Sequence, residues 1–262
     1  MSRAFVPPPK AARLPLDPIL AEIASWPGAL AAVTVVAAGV VRGFTGFGSA
    51  LVMVPVLALL WSPTEAVTTA LGLGVVGSFQ LVPKAVPLAR WRDLGPMAAA
   101  LLLFTPLGTM ILIGVDPATV RRIIAALILA ITLIMLRGWQ YRGPRGVWPG
   151  AVAGGLGGVI NGIAAIGGPV AVLYLMALRE EAATQRANIV VQVALMGVVG
   201  LLYLALAGQV GTRDLLRIAA LALPMIAGTW LGGRLFLRLP ASAFRRIVLW
   251  TLVAVSLAIL VA

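Results

Sequence analysis

The chain has no cysteine and no histidine among its 262 residues. The first absence excludes disulfides, thiolate ligands and redox motifs; the second removes the commonest metal ligand and the usual proton relay near neutral pH. Acidic residues are scarce, 8 against 20 Lys and Arg, and charged residues make up only 11% of the chain. A soluble domain carries about 25%. With 61% hydrophobic residues and a mean hydropathy of +1.06, the polar surface is too small to cover the apolar surface of a globule. The sequence therefore reads as an all-α integral membrane protein, multi-pass in a cell membrane, with the lipid bilayer as its solvent. Its net charge of +12 suits an anionic lipid surface or an anionic solute. No basic run is interleaved with exposed aromatics, which argues against nucleic acid. No cofactor or metal is implied, and no set of catalytic groups converges to make an enzyme. A homo-oligomer stays open.

Residues 1–27 carry Pro at 7, 8, 9, 15, 18 and 27 and lack a continuous apolar core, unlike a signal peptide. Within them, Pro18–Trp26 reads as a short helix lying in the membrane interface. From Gly28 to Trp61 the only charge is Arg42, a run of 34 residues. As one helix it would reach roughly 50 Å at about 1.5 Å per residue, against a hydrocarbon core of about 30 Å. One straight span cannot fit. Its middle reads Gly43-Phe44-Thr45-Gly46-Phe47-Gly48-Ser49, and glycines this dense break a helix. A broken helix or a re-entrant hairpin is expected there. Apolar segments follow at 66–82, 94–115 and 123–136, then a charged stretch at 137–145 with Trp139 and Tyr141 as interface anchors.

The second half follows the same plan. Trp148–Leu178 is 31 residues without a charge, interrupted at Asn161-Gly162-Ile163-Ala164-Ala165-Ile166-Gly167-Gly168-Pro169. Segments at 187–212, 218–233 and 247–262 complete it. Short matches recur in order: Arg92-Asp93-Leu94 as Arg213-Asp214-Leu215, Gly108-Thr109 as Gly228-Thr229, and the Arg121-Arg122 pair as Arg245-Arg246. The offset runs from 119 at the glycine breaks to 124 at the Arg pair. These matches predict two tandem homologous halves, 28–142 and 143–262, of four hydrophobic segments each. The first segment of each half is broken. Paired repeats with matched breaks point to a transporter site between them.

The two breaks, Gly43–Pro55 and Asn161–Leu173, resemble the paired signature of the sulfite exporter TauE/SafE family, also called the toluene sulfonate uptake permease family. The resemblance covers residues 28–262. It implies two four-segment halves and transport of sulfite, sulfonates or related small acids. Where the family commonly has a Gly triplet, this chain has Gly48-Ser49-Ala50 and Gly167-Gly168-Pro169.

The residues themselves indicate how such a site would work. A helix break frees backbone N–H groups and exposes a half-helix N-terminus with a partial positive charge. Irregular backbone at membrane depth persists only when buried in protein or lining a cavity. Two breaks meeting at mid-membrane would cradle a small oxyanion, with Gly43, Thr45, Gly46, Phe47, Gly48 and Ser49 on one side and Gly162, Ile166, Gly167 and Gly168 on the other. The alternative is that the glycines only let helices pack closely. Arg42 offers a guanidinium fork to the anion, or else snorkels to a headgroup. Asn161 holds the matching place as a neutral donor. Gln80, Asn188 and Gln192 are further candidates for the path, and Lys84 and Arg186 form a basic vestibule or lipid anchors.

All eight acidic residues lie in the N-terminal segment or flank the spans, so no buried carboxylate is expected to carry protons. Potential suffices as a drive, because an anion leaving a negative-inside cell gains about 2.3 kcal/mol per charge per 100 mV. Export is the preferred direction, with uptake, a channel for another small anion such as a carboxylate or sulfate, and, more remotely, a membrane enzyme as alternatives. If each long stretch spans once, the halves run parallel; if each is a hairpin, they are inverted. Loop Lys and Arg divide 11 to 8 in the first case and 12 to 7 in the second, with Arg42 left out of both. The positive-inside rule does not separate these. Inverted halves are preferred, because broken hairpins and inverted repeats occur together in transporters.

Overall fold

The structure is a computed structural model that describes residues 25–178 and 180–236, with Trp250 and Val253. Every regular element among the described residues is helical: α1 (Trp26–Thr45), α2 (Ser49–Leu60), α3 (Pro63–Ser78), α4 (Val82–Ala85), α5 (Trp91–Gly114), α6 (Pro117–Leu136), α7 (Val147–Ala164), α8 (Gly168–Ala177), α9 (Ala182–Leu206) and α10 (Thr212–Phe236), plus one 3-10 turn at Val86–Leu88. Six of these helices are long and apolar enough to cross a membrane: α1, α5, α6, α7, α9 and α10. A seventh crossing results if α3 and Val82–Leu88, bent by 56°, count as one. The expected interfacial helix at 18–26 and the final segment at 247–262 lie largely outside the described residues.

Both over-long stretches break where glycine density predicted, each first helix ending at a left-handed residue. Helix α1 ends because Gly46 adopts the left-handed conformation at φ 86° and its N–H bonds to the Arg42 carbonyl at 2.7 Å. The Thr45 hydroxyl lies 2.8 Å from the Val41 carbonyl and accepts the Phe47 N–H, which fixes the turn. Helix α7 ends the same way at Ala165, φ 59°, whose N–H bonds to the Asn161 carbonyl at 2.8 Å. The left-handed residue of the second break is thus an alanine, and Gly167, at φ −64°, is ordinary helical backbone. Its missing Cβ serves proximity instead: a methyl there would stand 2.1 Å from the Gly157 carbonyl oxygen.

That contact shows the chain turning back on itself, since Gly157 lies two turns before the end of α7. The Tyr174 hydroxyl near the end of α8 donates to the Gly146 carbonyl, at the start of α7, at 2.9 Å. Helices α7 and α8 therefore form a hairpin whose two ends lie together. With 10 residues in α8 and 12 in α2, each short helix reaches only about half the hydrocarbon thickness.

Close backbone contacts fix the rest. Gly39 lies against Met225 and Gly228, and Gly43 against Thr229 and Gly233, so α1 and α10 run side by side in the same direction. Gly154 meets Met97, Gly158 meets Leu101 and Gly162 meets Thr105, so α5 and α7 do likewise. A methyl on Gly43 would stand 2.0 Å from the Thr229 oxygen, and one on Gly108 would stand 2.0 Å from the Val159 oxygen. These glycines bring backbones together, as small residues do in membrane bundles. In contrast, α3 and α9 are antiparallel: Leu71 neighbours Gly200, Val75 neighbours Gly197, and the Arg90 N–H beyond α4 bonds to Asn188 near the start of α9.

The directions of α3 and α9 place the turns that follow them on opposite faces of the bundle. In the naturally cysteine-free chain, Leu88→Cys and Val210→Cys should therefore respond oppositely to an impermeant thiol reagent on intact cells; labelling of both alike contradicts the antiparallel arrangement. Ala165→Gly relieves a left-handed alanine that costs about 1–2 kcal/mol, so it should raise the unfolding temperature by a few degrees.

Candidate functional site

The two breaks meet around one small chamber. Its walls are Arg42, Gly48, Ser49 and Leu51 from the first break, Asn161, Ala165, Ile166 and Gly168 from the second, and Leu71, Gly74, Met196 and Gly197 from α3 and α9. About 30 Å³ is open to the centre of a water molecule, room for roughly two waters. Helices α2 and α8 both begin at this chamber, and neither start carries a side-chain cap. Two half-helix N-termini thus bring partial positive charge to the same space.

Arg42 is 2% exposed. Its Nη2 donates to the Ser78 hydroxyl at 2.6 Å and its Nη1 reaches the Ser49 hydroxyl at 3.5 Å. Nε has no partner, and no carboxylate among the described residues lies within ion-pair distance of the guanidinium. The side chain passes over Gly77, where a Cβ would stand 3.1 Å from Nε. Ser78 in turn donates to the Gly74 carbonyl at 2.8 Å, which turns its lone pair toward Arg42. Arg42 is therefore held by neutral hydroxyls inside the bundle and does not snorkel. An uncompensated buried cation is expensive, and an anion in the chamber would neutralise it.

Asn161, 2% exposed, faces the chamber from the other side and donates to the Met196 carbonyl at 2.8 Å. One of its amide hydrogens is thus engaged by α9, much as Arg42 is anchored on α3.

The other sequence candidates divide. Gly48, Ser49, Ile166 and Gly168 line the chamber. Gly43 and Gly162 face neighbouring helices, where each makes room for a backbone. Thr45, Gly46 and Phe47 build the first turn, and Gly167 permits the fold-back at the second. The Asn188 side chain caps the approach to α5 by accepting the Arg90 N–H at 2.8 Å. Gln192 is fully buried, and neither of its amide atoms has a partner. Gln80 lies outside the chamber in an open cavity of about 430 Å³ that it shares with Lys84, Arg186 and Val190. The two basic residues assigned to a vestibule thus share one cavity. Arg186 also reaches the Gly43 carbonyl at 3.4 Å, which ties this cavity to the residue after Arg42.

Two features escaped the sequence reading. Ser78 is the closest partner of Arg42, and its only signal was a hydroxyl beside Gly74 and Gly77 in an apolar run. Asp214 lies at the end of a span as expected, yet it is 5% exposed, so a buried carboxylate does exist. Its Oδ2 accepts the Gly211 N–H at 2.9 Å and its Oδ1 has no partner. Nearby, Glu65 pairs with Arg217 at 2.9 Å, and that guanidinium stacks over Trp61. No group of His, Cys, Asp and Glu suited to a metal ion occurs among the described residues.

A family model described as Sulfite exporter TauE/SafE matches residues 31–259. The chain belongs to this family. It is a multi-pass membrane transporter, and the match spans both breaks and every helix that builds the chamber. No curated protein and no solved structure matches it.

If Arg42 supplies the charge of the site, Arg42→Gln should weaken anion binding roughly ten- to hundredfold, since a charge-assisted hydrogen bond is worth about 1.5–3 kcal/mol. Arg42→Lys should restore only part of it, because an ammonium cannot reproduce the fork. Ser78→Ala should cost less than either. Binding isotherms on purified protein at matched folded yield check the order; full rescue by Lys would reduce Arg42 to a point charge.

Proposed function

We propose that the protein is a secondary carrier that exports sulfite or small sulfonate-type anions across the plasma membrane. The anion sits between two inverted halves and is held by Arg42. One observation carries the reading: a buried guanidinium without a carboxylate partner faces a chamber where two uncapped half-helices begin. An oxyanion supplies the missing charge and accepts the free donors.

What supports inverted halves is the direction of corresponding helices. Helices α3 and α9 follow equivalent breaks and run oppositely, and α7 returns through α8 to its own starting face. With hairpins in both halves, the sequence stretches 83–95, 137–145, 179–186 and 234–246 fall on one face and carry 12 of the 19 loop Lys and Arg, and that face is assigned to the cytoplasm. The Lys84–Arg186 cavity opens on that face and serves as the collecting vestibule for an anion about to leave. The narrowness of the chamber favours a carrier over an open pore. Its volume favours compact oxyanions, since an arenesulfonate ring requires it to widen.

Purified protein in liposomes tests this with radiolabelled sulfite, sulfoacetate, sulfate and lactate. Sulfite and sulfoacetate flux should saturate, should scale with an imposed potential, and should fall with Arg42→Gln. Passage of neutral solutes alone would refute the anion reading, and unsaturable flux would make the protein a pore.

A further inference from the structure

The loop between α6 and α7 builds a second site, unrelated to the chamber. Residues 137–146 contain Arg137, Arg142 and Arg145 and no acidic residue. The chain has no carboxylate between Asp116 and Glu180, and Glu180 is taken by Arg90. Arg142 and Arg145 are exposed, with no hydrogen bond or ion pair among the described residues. Despite its polarity the loop is pinned. The Tyr141 hydroxyl donates to the Pro144 carbonyl at 2.9 Å, its ring stands edge-on to Tyr174 at 5.8 Å, and Tyr174 bonds Gly146.

This rigid loop shapes two adjoining cavities. One, of about 570 Å³, is lined by Arg142, Arg145 and Gln140. The other, of about 490 Å³, is lined by Trp148, Val152, Leu156 and Val170, and its surface is almost wholly apolar. They share Trp139, Tyr141 and Leu173 as a common wall. Trp139 and Trp148 are exposed, as residues of the interfacial belt are. A polar, doubly cationic compartment joined to an apolar trough at the membrane surface matches one kind of molecule, with an anionic head and a hydrocarbon tail.

We propose that this loop and the outer face of α7 and α8 bind an anionic phospholipid. Its headgroup phosphate lies between Arg142 and Arg145, and an acyl chain lies along Val152, Leu156 and Val170. Charge complementarity selects the lipid class, since basic pockets at helix ends attract anionic headgroups. Because Tyr174 belongs to α8, an occupied site would brace the hairpin that carries the second break.

Native mass spectrometry of the full chain, extracted from phosphatidylcholine vesicles with and without phosphatidylglycerol, tests the proposal. The wild type should retain phosphatidylglycerol in preference to phosphatidylcholine. Arg142→Gln and Arg145→Gln should each weaken retention several-fold, and together about tenfold or more. Leu156→Ser, on the apolar trough, should weaken it also. Arg92→Gln, in the first turn of α5, should not. Equal retention of both lipids, or full retention by the double variant, overturns the site. Displacement by inorganic phosphate with no effect of Leu156→Ser also overturns it, because the loop would then bind a free anion.

Discussion

The architecture is organised around a guanidinium that has been brought into an apolar bundle without an acid to neutralise it. Moving an isolated charge out of water costs several kcal/mol even after relaxation. The bundle reduces that cost with neutral groups only. Ser78 and Ser49 take two of the donors, Gly77 gives the side chain a channel, and the chamber leaves Nε facing no protein acceptor. A carboxylate partner would lower the cost further but would also remove the positive charge on which the proposed anion recognition depends. Under the proposed function, the counter-ion is an occupant that can leave.

Placing two breaks around that charge demands close approach elsewhere. Helix α1 can bring Arg42 to the centre only if α10 lies against it, and α7 can bring Asn161 there only if α5 does the same. Both pairs use glycine in both members, so the helices touch backbone to backbone. Short helices α2 and α8 then have space to begin at the chamber and return. The packing glycines and the site glycines are different residues with different jobs, although they alternate within a few positions of the sequence.

That alternation explains what could be read in advance. Helix breaks were legible because two apolar runs exceed the bilayer thickness and have glycine in their middles. Arg42 was legible because it is the only charge in either run. Which glycine does what was not, since Gly43 and Gly46 differ only in the partners that the fold gives them. Ala165 shows the same limit from the other side, because an alanine takes the left-handed turn that nearby glycines seemed to offer. Asn188 was placed near the path by polarity alone, and polarity does not distinguish a cap from a lining. Ser78 needed a tertiary contact across 36 positions to become visible.

The pairing of α1 with α10 also sets a schedule for the nascent chain. Gly43 and its contact Thr229 are 186 residues apart, whereas Gly108 and Val159 are 51 apart. At synthesis rates of about 5–20 residues per second, α5 waits roughly 3–10 s for α7, while α1 waits roughly 10–40 s for α10. For all of that interval α1 stands without the helix against which Gly39 and Gly43 pack. The α5–α7 pair, by contrast, closes while the second half is still being made. Helix α10 thus completes the packing of a helix made long before it, and a chain truncated before α10 would leave the glycine face of α1 uncovered in the membrane.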